Sequence, residues 1–311
     1  MQEMTRRAFV GSAGAAAVGL ALAGGAAFGG DALGEETSAG KDGSQQPVAA
    51  VAQPAPSFRV DVYDFEGQRL HAFATQDALG DVCYIVESEQ GLVGIEMPPF
   101  TVDLDAWKVY IEGLGKPLEA VFTDSHAVGI DYLEGITVIA TQNAVDSQAS
   151  GSVRATTDGL AATFGADFHA DAPKVTRIVE AGMVEVAGVS FEVLDDGDTY
   201  RLAIPSMNAI YTHMLGATTH SIFVSREAMD AMVEQLKEYQ AKGYALILTS
   251  HGLPEGQDAV AAKIAYVEKV GEIADECSTA EEFIDAMNAE FPGYDGANYL
   301  EMSAGYLFPE A

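Results

Sequence analysis

The chain has 311 residues, 48% of them hydrophobic, enough for one sizeable core and with nothing that demands a second. Its formal net charge is −31, from 47 acidic and 16 basic residues, and such a surface repels nucleic-acid phosphates and anionic lipid headgroups. That excludes nucleic acid and a membrane surface as partners and leaves a small-molecule substrate or ligand. The two cysteines, Cys83 and Cys277, are too few for a four-thiolate zinc site, and their wide separation in sequence leaves a disulfide between them open.

The first thirty residues read as an address rather than as part of a fold. Thr5-Arg6-Arg7-Ala8-Phe9-Val10 carries paired arginines, and a run of Ala, Gly, Val and Leu follows from Ala13 to Gly30. This resembles a twin-arginine export signal, which implies a periplasmic, cell-envelope or extracellular protein that leaves the membrane after cleavage. Residues 31–56, rich in Gly, Ser, Gln, Pro and Ala, read as a flexible linker, and 57–311 as the folded domain with a C-terminal helical extension.

Within that domain Val60 to Phe65 alternates as a strand and turns at Glu66-Gly67. Asp81 to Glu87 and Leu92 to Met97 form a hairpin about Glu89-Gln90-Gly91. Leu104, Trp107, Ile111 and Leu114 recur at helical spacing over Val102 to Leu114. Leu118 to Thr123 and Ile136 to Ala140 are buried-type strands, and residues 143–164 are helical. Met183 to Val186 and Val189 to Leu194 flank the Ala187-Gly188 turn. Tyr200 to Ile204 and Ala209 to Thr212 flank Pro205 to Asn208. Arg226 to Lys242 is an amphipathic helix, Ala245 to Thr249 a short strand, and helices follow from Asp258 and from Thr279 to Ala289. Strand pairs with helices late in each half predict two sheets covered by outer helices.

Polar residues directly after buried strands stand where layered α/β proteins build their sites. Thr123-Asp124-Ser125-His126-Ala127-Val128-Gly129-Ile130 is such a place, and it resembles the Thr-His-x-His-x-Asp-His segment of the metallo-β-lactamase superfamily. Glu96 stands where that family's opening strand pair usually ends in aspartate. Ala209 to His213 resembles the strand that ends in Gly-Asp, and Ile247 to Pro254 the strand that ends in Gly-His-Gly-x-Pro. The resemblance covers residues 80–255 and implies a four-layer αββα sandwich with a metal-dependent hydrolase's cleft.

The departures bear on the metal. The family's first histidine is Asp124 here, its aspartate is Val128 and its last histidine of that segment is Gly129; the bridging aspartate is His213 or Met214, and no histidine stands near Asp195 to Thr199. The usual two-ion site has lost two donors of its second ion. What the resemblance still brings to one edge is Asp124, His126, His213 and His251, enough for one zinc or similar ion, with Asp124 as ligand or general base. His220 is a further candidate ligand or supporting partner; Asp196 and Asp198 read as turn residues, and His71 and His169 as structural. Two functions stay open: a metal-dependent hydrolase with a mononuclear or rearranged site, and a non-catalytic relative that holds no metal and binds a small ligand or partner in the old cleft.

Overall fold

The structure is a computed structural model that describes residues 5–10, 58–126 and 130–309. The apolar run after Val10, the linker over 31–56, and Val128 and Gly129 lie outside the described residues.

The first sheet has eight strands in sequential order: β1 (Thr5–Val10), β2 (Phe58–Phe65), β3 (Gln68–Thr75), β4 (Val82–Glu87), β5 (Leu92–Ile95), β6 (Leu118–Phe122), β7 (Thr137–Thr141) and β8 (Arg177–Val179). Strands β1 to β5 pair antiparallel, and β5 to β8 pair parallel. Parallel pairs need crossovers. Helix α1 (Thr101–Gly113) carries the chain from β5 to β6, and α2 (Gln142–Ser150) with α3 (Ser152–Phe164) from β7 to β8. The expected single helix over 143–164 is broken at Gly151, where an added Cβ would lie 2.6 Å from Ser147 Cα.

Thr5–Val10 departs from the expectation that residues 1–30 contribute no element. It runs antiparallel to β2, from Thr5 opposite Asp64 to Val10 opposite Arg59. A segment with Thr, Phe and Val suits a pleated edge, and β2 offers it an open row of main-chain donors and acceptors.

The second sheet has five strands: β9 (Gly182–Val186), β10 (Val189–Asp195), β11 (Tyr200–Ile204), β12 (Ala209–Tyr211) and β13 (Leu246–Leu248), in spatial order β13-β12-β11-β10-β9. Ala187 and Gly188 both take positive φ, 47° and 72°, the two-residue turn that matches strand twist. Helix α4 (Arg226–Lys242) crosses from β12 to the parallel β13. It starts at Ser225, whose side chain accepts from Ala228 N–H, and stops at Gly243 in the left-handed region. Helices α5 (Gln257–Glu276), α6 (Ala280–Glu290) and α7 (Ala297–Leu307) follow.

Three apolar interfaces stack these elements into four layers. Tyr84, Val93 and Phe122 of the first sheet meet Phe191, Leu202 and Tyr211 of the second. Leu104, Trp107 and Ile111 of α1 cover Ile85, Val121 and Val138 on the first sheet's other face. Leu236, Tyr239 and Val260 of α4 and α5 cover Ala203, Ile210 and Ile247. The order is αββα. The C-terminal helices pack on α4 through Phe223, Met229, Tyr266, Phe283 and Leu300. No helix among the described residues is long and apolar enough to cross a membrane.

Candidate metal centre

Two parallel strand pairs bring the site's loops to one edge. In the second sheet Tyr211 of β12 lies beside Leu248 of β13, so the segments to His213 and His251 leave together. They are tied by Thr212 N–H to Leu248 O at 2.9 Å and Ser250 N–H to His213 O at 3.0 Å. In the first sheet Ile95 of β5 lies beside Phe122 of β6, and the chain runs on through Thr123 to His126.

Glu96 shapes that last loop. It sits at φ 59° just past β5, fully buried. Its carboxylate accepts the N–H groups of Asp124, Ser125 and His126 at 2.8, 3.0 and 3.1 Å, and the Tyr211 hydroxyl at 3.3 Å. The sheets are joined at this edge too. Tyr84 donates its hydroxyl proton to Thr249 O at 2.8 Å and accepts Thr249 N–H at 2.9 Å, and Val82 N–H donates to Ser250 O at 2.7 Å.

His126, His213 and His251 converge. One ring nitrogen of each lies within 4.8 Å of the others, and ring centroids are 5.0–5.4 Å apart. Both ring nitrogens of His126 and Nδ1 of His213 are buried without a hydrogen-bond partner. Burial, reinforced by the neighbouring histidines, holds the His126 imidazole well below its ordinary pKa; burial and His251 take His213 down to about 3. Both rings are therefore neutral at physiological pH and offer lone pairs. Burial also lowers His251, but the Asp81 carboxylate and the Leu79 carbonyl outweigh it and the net shift is upward. Unpaired buried imidazole nitrogens are costly unless something satisfies them, and a divalent cation does so. The donor set fits one zinc-type ion. Among the described residues it is the one such group.

Asp124 is not brought into this group. Its Oδ1 accepts Tyr200 N–H at 3.1 Å and its Oδ2 the Ser125 hydroxyl at 3.0 Å. Burial and then the Glu96 charge push its carboxyl well up, and burial raises Glu96 to about 7 against the pull of its backbone donors. Glu96 has four donors, three of them main-chain N–H groups, and Asp124 two, so the pair is held by the His126 loop and by the second sheet. The structure thus ties the Asp124 carboxylate to the second sheet and to Ser125 and does not bring it into the three-histidine group. His220 also stays outside, with Nδ1 3.0 Å from the Tyr266 hydroxyl. His71 pairs with Glu87 and Tyr110, His169 with Thr101, Asp196 with Arg201, and Asp198 accepts from Ser152.

The carboxylate that does reach the histidines is Asp81, just before β4, a residue the sequence presents only as the start of a strand. It is 0% exposed, and its Oδ1 lies 3.1 Å from His251 Nδ1 and 3.8 Å from His126 Nε2. Burial raises it to about 6, with His251 pulling it back and Asp77 adding to the rise. Asp103, 3% exposed in the first turn of α1, is raised to about 7 by burial, Asp77 and Asp81. The site is thus two neutral imidazoles and a third, His251, held against the Asp81 carboxylate, with Asp103 nearby, a field that favours a cation. An apolar groove of about 740 Å³ beside α1, lined by Phe58, Val102, Tyr110 and Leu114, shares no residue with it.

Four layers with a histidine cluster where two sheets open at one edge define the metallo-β-lactamase fold, and solved structures agree. The chain is similar to a beta-lactamase domain protein from Burkholderia ambifaria at 16% identity and TM-score 0.56, over 84% of this chain and 92% of the other. It resembles a metallo-beta-lactamase family protein from Thermus thermophilus at 12% identity and TM-score 0.55, over 77% and 91%. It also resembles the stereoselective inverting sec-alkylsulfatase Pisa1 from Pseudomonas sp. at 15% identity and TM-score 0.52, over 76% of this chain and 48% of that one. The chain therefore spans about half the length of the sulfatase it matches. No protein-family model matches the sequence, and no curated protein does.

Proposed function

We propose that the protein is an exported hydrolase in which His126, His213 and His251 hold a single divalent ion. One observation carries this reading: three imidazoles from loops of both sheets face one another, and both ring nitrogens of His126 and Nδ1 of His213 are buried with no hydrogen-bond partner. The ion's chemistry would be Lewis-acid polarisation of a substrate's carbonyl or phosphoryl oxygen and activation of water near neutral pH. The chain's own groups set the stage for it. Glu96 fixes the loop of His126 through three main-chain N–H groups, and the parallel β12–β13 pair fixes the other two histidines. The fold shared with a sulfatase and with lactamase-type proteins supports hydrolysis as the reaction class. Export rests on the paired Arg6 and Arg7 and the apolar run behind them.

The test is the metal content of the purified protein, followed by an assay against carboxylic, phosphoric and sulfuric esters and a β-lactam. The expected result is near one ion per chain, lost in His126→Ala and in His251→Ala, with turnover of at least one class lost in parallel. A folded protein with no ion overturns the reading. A bound ion with no turnover of any class leaves a metal-holding binding protein, which refutes the hydrolase half.

A further inference from the structure

Asp81 has a geometry that the three-histidine centre does not by itself explain. The main chain holds the residue firmly. Its carbonyl accepts Thr75 N–H at 2.8 Å and the Thr75 hydroxyl at 3.0 Å, and the next residue, Val82, donates its N–H to Ser250 O, one position before His251. The carboxylate, in contrast, has no well-aligned hydrogen-bond donor for either oxygen and no exposure to water. A fully buried carboxylate in that state is expensive unless a specific neighbour uses its charge. Two of the three histidines lie within 3.8 Å of it.

Asp81 meets a different nitrogen on each. On His251 it lies 3.1 Å from Nδ1, which also points to Leu79 O at 3.2 Å. A proton on that nitrogen has two acceptors in reach, so Nε2 is left as the lone pair. On His126 the same carboxylate oxygen lies 3.8 Å from Nε2, beyond hydrogen-bond reach, so its pull on that ring is electrostatic: the charge favours a proton on the nearer Nε2 and leaves Nδ1 as the lone pair. Which ring nitrogen binds a metal is set by the hydrogen bond or charge at the other.

We propose that Asp81 is a positioning residue of the metal centre: one carboxylate that fixes opposite tautomers of His126 and His251, so that Nδ1 of the first and Nε2 of the second face the ion. The inference rests on the reading of the three histidines as a metal site. It assigns Asp81 no bond to the ion and no step in the reaction.

Two measurements test it. The first needs no variant: ring-nitrogen NMR of the zinc-loaded, histidine-labelled protein should show a protonated Nδ1 on His251 and a protonated Nε2 on His126. The same protonated nitrogen on both rings overturns the proposal. The second is Asp81→Asn, with zinc affinity measured by competition against a chromophoric chelator and cobalt(II) absorption recorded alongside. The amide oxygen can stand in the same place but carries no charge to hold the ring protons on the near nitrogens, so affinity should fall about 10- to 100-fold while the cobalt spectrum keeps the intensity and position of an unchanged ligand count. Affinity within about 3-fold of the unsubstituted protein refutes the role. A cobalt spectrum that signals loss of a ligand also refutes it, because Asp81 would then bind the ion directly. An unsubstituted protein that binds no zinc at all removes the metal reading itself and this inference with it, an outcome distinct from the other two.

Discussion

Replacing Tyr84 by Phe should cost far more than the loss of one hydroxyl suggests. The phenol oxygen is the hydrogen-bond partner of both main-chain groups of Thr249, accepting its N–H at 2.9 Å and donating to its carbonyl at 2.8 Å. Tyr84 is 0% exposed and Thr249 1%, so water has no ready route to replace it. Phenylalanine preserves the ring and its packing against Tyr211, whose centroid is 6.3 Å away, and removes the oxygen alone. Two orphaned buried main-chain groups at about 1–3 kcal/mol each give about 2–4 kcal/mol after local relaxation. That is a large share of the roughly 5–15 kcal/mol by which a domain is stable. Urea unfolding of the metal-free protein, followed by circular dichroism, should show a lower midpoint with an unchanged slope. Tyr211→Phe is the matched control. Its hydroxyl serves Ser250 Oγ at 2.7 Å and Glu96 Oε1 at 3.3 Å, and these side-chain partners have other bonds or can turn, so about 1 kcal/mol is expected. A Tyr84→Phe loss below about 0.5 kcal/mol, or one no larger than that of Tyr211→Phe, would refute the argument that this hydroxyl holds the His251 loop to the first sheet.

Four further outcomes follow from the same geometry. Zinc at about 100 times its dissociation constant should stabilise the unsubstituted protein by about 2.7 kcal/mol, and His126→Ala should abolish that gain in a thermal-shift assay. Asp103, raised from 3.8 to about 7, favours the fold in its protonated form, so its stabilising contribution is complete below pH 3.8 and is lost as pH rises through 7. Asp103→Asn should therefore raise the stability of the metal-free protein by about 1–3 kcal/mol at about pH 8 and leave it unchanged at about pH 3.5 by chemical denaturation, below the limit of about 4 kcal/mol that the full shift implies. Lys263→Met should change stability at about pH 7 by less than about 1.5 kcal/mol in urea unfolding: it loses bonds to Thr219 O at 2.6 Å and Gly216 O at 3.1 Å but also the burial cost that lowers the amine to about 8. Arg6→Lys with Arg7→Lys should abolish export, measured by cell fractionation, without altering the unfolding midpoint of the recovered protein.

The parts legible in the sequence are those with a local cause. The Ala187-Gly188 turn, the Ser225-capped α4 and the spacing of Leu104, Trp107 and Ile111 each state their structure within a few residues. The three histidines were legible for a related reason, since each follows an apolar run that could only be a buried strand. What was not legible depends on partners far along the chain. Strand β3 lacks a clean alternation because Leu70 to Phe73 are buried on both faces. Strand β8 is three residues long, and α7 is rich in small residues. Asp81 reads as the first residue of a strand, and only the Val82–Ser250 bond reveals that it stands beside His251. For Asp124 the sequence marks the loop correctly but not the direction of the side chain, which Tyr200 N–H decides.

The loop that carries His213 is fastened by residues made much later. Lys263 donates to the carbonyls of Gly216 and Thr219. Asp295 completes the clasp: its N–H donates to Thr218 O at 3.0 Å, and its carbonyl accepts His220 N–H at 2.9 Å. During synthesis both sheets can close while this loop still hangs loose, because the strands end at Leu248. The β12–β13 pair already holds His213 itself, while the segment behind it is closed only once the last helices have docked, so they act as a latch on the wall of the site. A chain ending between Leu248 and Asp295 would keep the strands of both sheets and lack the clasp of Thr218 and His220 on Asp295.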